Sequence, residues 1–355
     1  MFVAIYLGCV AAVGIPIMIS EVLLGRQGRS SPIHTMRSLS QCAGASGRWT
    51  ALGWFGVVTG FLILSYYGVI AGWTLHYVWL SMSGAFAGAD GASVGATFDA
   101  FLADPWALVF YQTLFMALTI WIVGRGVTRG IEAAIRWFMP LLFLLLLVLF
   151  IYSLNSGGFA QGWAFMFDLK WDAVSSDTVL IAMGQAFFTL SLGMGTMMAY
   201  GAYVPEDANL GTTVVSIAAL DTFIAIAAGL VIFPIVFANG LEVGQGPGLP
   251  FVTMPIDYSQ MPFGEVFSGI FFLLISFAAI TSASSLTEPA LSYLGEEYNA
   301  KRQRGALSLG VICWLLGLGT VFSFNIWSDM MIVGDLNFFG FLDYLSQNIM
   351  LPLGG

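Results

Sequence analysis

Long apolar runs alternate with short polar stretches along the whole chain. A run of about 17–25 apolar residues is long enough to cross a bilayer as a helix. Such runs fall near 2–24, 52–80, 107–123, 138–153, 179–203, 211–238, 266–294 and 306–323, and a ninth begins near 337. Each predicts a spanning helix, because hydrocarbon leaves no other open chain conformation with its backbone satisfied. The polar stretches between them are loops. One of them, NGLEVGQGPGLPFVTMPIDYSQMP, is rich in glycine and proline and mildly apolar, so it reads as a re-entrant or interfacial hairpin rather than a solvated linker.

Charge orients this pattern. Of the eleven basic residues all but Lys170 sit in alternate loops: Arg26, Arg29, Arg37 and Arg48 in the first, Arg125, Arg129 and Arg136 in the third, Lys301, Arg302 and Arg304 in the seventh. The positive-inside rule makes those loops cytoplasmic. The loops at 81–106, 154–178, 239–265 and 324–336 are then external, and the acidic turn VPEDANL does not disturb this, since acidic residues weigh little in the rule. Composition agrees: 58% of the 355 residues are hydrophobic and 9% charged, against about 25% charged in a soluble domain. The expectation is an all-α polytopic membrane protein, residues 1–355 forming a single transmembrane domain. Met1 opens directly into an apolar run and the last run stops at NIMLPLGG, so the chain reads as a piece of a longer protein lacking at least one helix before Met1. The cysteines, Cys9, Cys42 and Cys313, have no disulfide or metal spacing, and no nucleotide-binding or hydrolase motif is present, so an enzyme is not expected.

Four carboxylates fall within or at the ends of spans, where each costs a few kcal/mol unless it meets a partner or a wet cavity. Asp221, in SIAALDTFIAIAAGL, sits about eleven residues into a span that carries no basic residue and reads as an ion ligand or proton site. Glu21, in GIPIMISEVLLGR, is either a snorkelling helix-end charge or a buried acceptor for irregular backbone. Glu288, in TSASSLTEPALSYL, reads first as a tie to another helix, and Asp343 lies near a membrane face. The hydroxyl run TSASSLT either bonds back to its own helix or, with Thr281, Ser282 and the carbonyl of Ala278, gathers oxygens that suit a hard monovalent cation.

The stretch GQAFFTLSLGMG puts Gln185, Thr189 and Gly193 on one helical face. Glycine weakens a helix by roughly 1 kcal/mol relative to alanine. Two readings stand: close packing of intact helices through small residues, or a helix broken in mid-membrane whose freed backbone groups bind an anionic group and a cation.

These motifs resemble the neurotransmitter:sodium symporters, especially bacterial amino-acid transporters of the LeuT type. The resemblance rests on GIPIMISEVLLGR, SYYGVIAGWTL, GRGVTRGIE, GQAFFTLSLGMG, GLPFVTMPIDYSQMP, ITSASSLTEP and FLDYLSQNIMLPLGG, and covers essentially the whole chain. It implies a fold of two inverted repeats of five helices, of which this chain supplies helices two to nine and part of ten. It implies that Tyr67 bonds a substrate carboxylate, that Phe188 is an aromatic lid and Ile63 a pocket wall, and that Ser191, Met194 and Gly195 form the unwound segment around the substrate. Thr189 and Asp221 match a first sodium site, and Ala278, Thr281 and Ser282 a second. Ser282 and Leu286 also line the pocket, Glu21 braces the unwound segment, and Asp343 is an outer-gate carboxylate. Chloride-dependent relatives hold the anion near positions matching Tyr6, Gln185 and Thr189. The carboxylate of Asp221, where LeuT has asparagine, would supply that charge instead.

The implied function is sodium-coupled, chloride-independent symport of an amino acid by alternating access, with both sodium sites only partly present in this chain. Met194, where relatives carry a bulky aromatic, points to an apolar or aromatic substrate. The alternatives are a truncated, transport-inactive piece of such a symporter and, more distantly, a cation channel. The expected partners are the amino acid, sodium and membrane lipid, with no nucleic acid and with homo-oligomerisation open. The expected place is the plasma or inner membrane.

Overall fold

The computed structural model describes residues 2–126, 132–168, 175–238, 248–259 and 263–355. Arg129, Lys170, Asp172 and Glu242 lie outside them, as does much of the glycine- and proline-rich hairpin expected at 239–265. Helix α1 (Phe2–Gly28) is followed by short α2 (Pro32–Cys42) and long α3 (Thr50–Met82). Next come α4 (Gly91–Ala103), α5 (Pro105–Gly124), α6 (Glu132–Leu154) and α7 (Phe159–Phe167). Then α8 (Ser176–Thr189) and α9 (Thr196–Gly201) share one apolar run. They are followed by α10 (Leu210–Ala238), α11 (Leu249–Ser259), α12 (Gly264–Tyr298) and α13 (Arg302–Ser323). The last helix, α14, joins Phe338–Tyr344, a π-helical turn Leu345–Met350, and Leu351–Gly354. Among the described residues the only β pairing is the isolated bridge Val333–Leu336.

Every predicted apolar run is helical over most of its length, and the run 179–203 is interrupted between Thr189 and Thr196. The structure adds helices in the polar stretches: α2 in the first loop, α4 and α7 in others, and α11 in the hairpin. Short polar side chains cap two of the helix starts in this region. Asp90 accepts the Ser93 amide at 2.9 Å and caps α4, and Asp104 accepts the Trp106 amide at 2.9 Å and caps α5 just before Pro105. Acidic residues of the loops therefore serve as helix caps. Helix α7 is bent 109° away from α6.

At about 1.5 Å per residue, the 33 residues of α3 and the 35 of α12 each extend roughly 50 Å. These two pack against each other in antiparallel fashion and form the spine of the molecule. At one end of the spine lies an aromatic core. Trp73 and Tyr77 of α3 meet Phe251 of α11 edge-on, at 5.6 and 5.0 Å between ring centroids, and Tyr77 meets Phe272 of α12 at 5.0 Å. Edge-to-face rings satisfy the aromatic quadrupole while burying large apolar area. A second core, midway along, gathers Ile63 and Tyr66 of α3 with Phe187, Leu190, Leu192 and Met194. Leu220 and Phe223 on α10 and Leu307, Val311 and Leu315 on α13 face outward, as lipid-facing side chains do.

Helix α1 approaches α9 closely. A Cβ at Gly25 would lie 1.9 Å from the Met198 carbonyl oxygen, so only glycine fits there.

Candidate functional site: a helix broken in the membrane

The run from Ser176 to Gly201 is not one helix. Helix α8 ends at Thr189 and closes as a Schellman turn: the Leu192 amide donates to the Phe187 carbonyl at 2.9 Å, and the Ser191 amide to that of Phe188 at 3.1 Å. The turn needs a left-handed residue where glycine is usual, and here it is Ser191, at φ 56°. Gly193 and Gly195 follow at φ 72° and 71°, and α9 begins at Thr196. Three left-handed residues in five explain why the sequence places glycines here. Of the two sequence readings, the broken helix is the one the backbone adopts.

A break in an apolar interior frees amides that need acceptors. Glu21 of α1 supplies one: its Oε1 accepts the Gly193 amide at 2.7 Å. Glu21 is buried, not snorkelling, and among the described residues its Oε2 has no hydrogen-bond partner. A small cleft opens beside it, lined by Ser20, Glu21, Gly53, Gly56, Gly193 and Gly195.

At the end of α8 the Thr189 hydroxyl donates to Asp221 Oδ2 at 2.7 Å. Asp221 belongs to α10, so this contact joins the break to a neighbouring span. Tyr6 of α1 is buried near Thr189, Thr222 and Asp221, and among the described residues its hydroxyl has no hydrogen-bond partner. Gln185, one turn back along α8, is exposed.

Across the spine, Tyr67 of α3 lies beside Ser282 of α12. One turn of α12 carries the oxygen-rich set: the Thr281 hydroxyl donates to the Ala278 carbonyl at 2.7 Å, with Ser282 beside it. Ile63 is wholly buried, and Tyr67, Phe188 and Leu286 pack partly buried around the core that holds Met194. The Met194 carbonyl lies 3.4 Å from where a Cβ on Gly60 would stand. Asp343 of α14 accepts from the Gln347 amide nitrogen and faces Tyr66.

Sequence reasoning missed three partners. Tyr66, which donates to or accepts from Ser346 at 3.0 Å, meets α14, whereas only its neighbour Tyr67 had been singled out. The alternation of SYYG around a helix, sending adjacent tyrosines to different faces, was the available signal. Tyr200 of α9 pairs with Ser285 of α12 at 2.7 Å, and Tyr203 donates to Glu288 at 3.4 Å. Glu288, buried, pairs in turn with Arg302 at 2.6 Å, the helix tie read from its sequence.

Residues 97–333 match the sodium:neurotransmitter symporter family. An uncharacterized sodium-dependent transporter, YhdH, of Bacillus subtilis is 34% identical over 341 residues, covering 96% of this chain and 74% of that protein. An uncharacterized sodium-dependent transporter of Haemophilus influenzae is 31% identical, covering 98% and 78%. The crystal structure of MhsT in complex with L-phenylalanine superposes with a TM-score of 0.94 at 42% identity, covering 99% of this chain and 79% of that one. The all-helical fold with a span broken at Ser191–Gly195 is thus a LeuT-type transporter fold, and the chain belongs to the sodium:neurotransmitter symporter family.

Proposed function

We propose that the protein couples sodium entry to uptake of an apolar or aromatic amino acid, without chloride, by rocking one group of helices against the rest. The observation that carries this is the Thr189–Asp221 contact at the end of a broken span. Hydroxyl, carboxylate and freed carbonyl oxygens are the ligands a hard cation takes, and a break in mid-membrane presents unpaired amides to an anionic group. Thr189 and Asp221 then contribute to one sodium site. The Ala278 carbonyl, Thr281 and Ser282 contribute to a second. Tyr67 holds the substrate carboxylate and Phe188 covers the ligand. Ser191 and Gly195 offer backbone around its amino group, and Ile63, Met194 and Leu286 wall its side chain. Glu21 keeps the break open by holding the Gly193 amide. Tyr6 and Gln185 stand by the carboxylate that replaces a bound anion, and Asp343 serves the outer gate, which puts the arginine-rich loops on the cytoplasmic side.

The flexible Met194 side chain and the similarity to a transporter crystallised with L-phenylalanine support the substrate class. The test is uptake of radiolabelled L-phenylalanine into proteoliposomes under an inward sodium gradient, with leucine, tryptophan and tyrosine as competitors and gluconate exchanged for chloride. Saturable uptake that needs sodium and ignores chloride is the expected result. Uptake indifferent to sodium, or unsaturable ion flux, would replace this reading with another.

A further inference from the structure

Two hydroxyl pairs join α3 to α12, in line on α3 with Tyr67, which packs on α12 nearer the break. Nearest the break, Tyr67 packs against Ala279, Ile280 and Ala283 of α12, beside Ser282. Seven residues on, Thr74 Oγ1 meets Ser276 Oγ at 2.7 Å, and seven beyond that Ser81 Oγ meets Ser268 Oγ at 2.7 Å. Seven residues return to the same helix face within about 20°. Positions 67, 74 and 81 therefore form one stripe on α3, whereas on α12 the partners 268 and 276 are eight residues apart, about 80° around the helix, and 282 lies six residues further on.

The four hydroxyls of these pairs are buried, none more than 4% exposed. The first pair is also tied to its own helices: Thr74 to the Ala71 carbonyl at 2.7 Å and Ser276 to that of Phe272 at 2.8 Å. Two hydroxyl hydrogens thus serve three contacts, and at most one crosses the interface. Such a bond is modest in energy. Its direction is what matters. The surrounding contacts, such as Tyr77 on Phe272, are apolar and tolerate sliding. Moving one helix by a single residue shifts a side chain about 1.5 Å along the axis and 100° around it, which takes both pairs out of contact together.

The geometry points to Thr74 and Ser276 as positioning residues. They lock the axial register of α3 against α12 and so hold Tyr67 beside Ser282. The functional weight of that spacing rests on the proposed function, in which the two hydroxyls meet substrate and sodium.

The test uses the reconstituted full chain and two readouts. In sodium-driven L-phenylalanine uptake, Thr74→Val and Ser276→Ala should each raise the half-saturating concentration roughly three- to tenfold at a nearly unchanged maximal rate per protein. Thr74→Ser, which keeps the hydroxyl, should behave as wild type. Independently of any substrate, a Ser282→Cys reporter is labelled with a charged methanethiosulfonate and read at that residue by mass spectrometry. Adding Thr74→Val should change its labelling rate severalfold, and adding Thr74→Ser should not. An unchanged labelling rate overturns the assignment, whether or not uptake falls. If wild type shows no sodium-driven phenylalanine uptake, the transport reading fails and the labelling rates alone decide the positioning role. If Thr74→Val does not fold, Ser276→Ala, which removes a single oxygen, replaces it in both arms.

Discussion

Thr189 and Asp221, 32 residues apart in sequence, are joined by a 2.7 Å hydrogen bond from the hydroxyl at the end of α8 to the carboxylate in the interior of α10. The contact places a negative charge beside the only break in the described spans that sets three left-handed residues within five positions. A carboxylate there can hold a cation by its full charge, where an amide offers only a dipole. Asp221→Asn keeps the size and one acceptor oxygen and removes the charge. The sodium concentration for half-maximal uptake should then rise roughly tenfold or more, the scale of a charged hydrogen-bonding partner lost. Sodium titration of uptake at fixed phenylalanine measures it. An Asn variant with wild-type sodium affinity would remove Asp221 from the sodium site.

The break itself depends on Gly193. At φ 72° an alanine costs roughly 1–2 kcal/mol of backbone strain, and its Cβ would lie 2.3 Å from the Leu351 carbonyl oxygen of α14. Backbone cannot yield as a flexible side chain does. Gly193→Ala should therefore disturb the turn that presents the 193 amide to Glu21, and abolish uptake while the protein still reaches the membrane. Uptake and thermal unfolding of the variant, compared with those of Gly8→Ala at a position with open space around it, distinguish a local effect from a general one.

Much of this was readable from sequence. Apolar runs foretold the spans because lipid permits few alternatives, whereas GQAFFTLSLGMG left close packing and a break both open, since glycines serve small-residue contacts as well as positive φ. Ser191 was less legible, since a serine rarely takes the left-handed place in a Schellman turn. The small helices α2, α4 and α7 were hidden between the long runs because each is too short to span a membrane, and only α4 begins at a side-chain cap, Asp90. Tyr200–Ser285 and Thr74–Ser276 were illegible for another reason. Each joins positions 85 or 202 residues apart, and hydroxyls in spans most often bond to their own helix.

Glu288 and Arg302 make a two-point contact, 2.6 and 3.2 Å, in which the carboxylate is 2% exposed. Arg302 also donates to the Val123 carbonyl at 2.9 Å, so one guanidinium holds α12, α5 and α13 together. Removing one partner of a buried pair leaves the other charge uncompensated, at a cost of about 3–5 kcal/mol, whereas replacing both with apolar groups is often close to neutral. Arg302→Met should therefore lower the unfolding temperature in detergent markedly, and Glu288→Leu combined with Arg302→Met should recover most of the loss. If the double variant is as unstable as the single one, the pair is not what sets the stability of this end.

His34, on α2, lies between two carboxylates of α12. Its Nδ1 is 2.6 Å from Glu296 and its Nε2 2.6 Å from Glu297, and Ser31, Arg37 and Tyr293 complete its surroundings. Glu296 also accepts the Ser31 amide with both oxygens, at 2.8 and 3.0 Å. A neutral imidazole has one donor, so it satisfies one carboxylate and repels the other, while the protonated ring donates to both. Burial works against that charge and Arg37 opposes it too, but the hydrogen bonds to Glu296 and Glu297 prevail and raise the His34 pKa above its ordinary value. A raised folded-state pKa means a contribution present in full below the unfolded value of about 6.5 and lost as pH climbs through the folded value. The attachment of α2 to α12 should accordingly be firmest near pH 6 and loosen toward pH 9. Hydrogen exchange at the Ser31 amide should accelerate over that interval beyond the intrinsic rise with pH. His34→Gln, which carries no charge at any pH, should exchange at the faster level throughout. An equal pH response in wild type and His34→Gln would show that the attachment does not depend on the imidazolium.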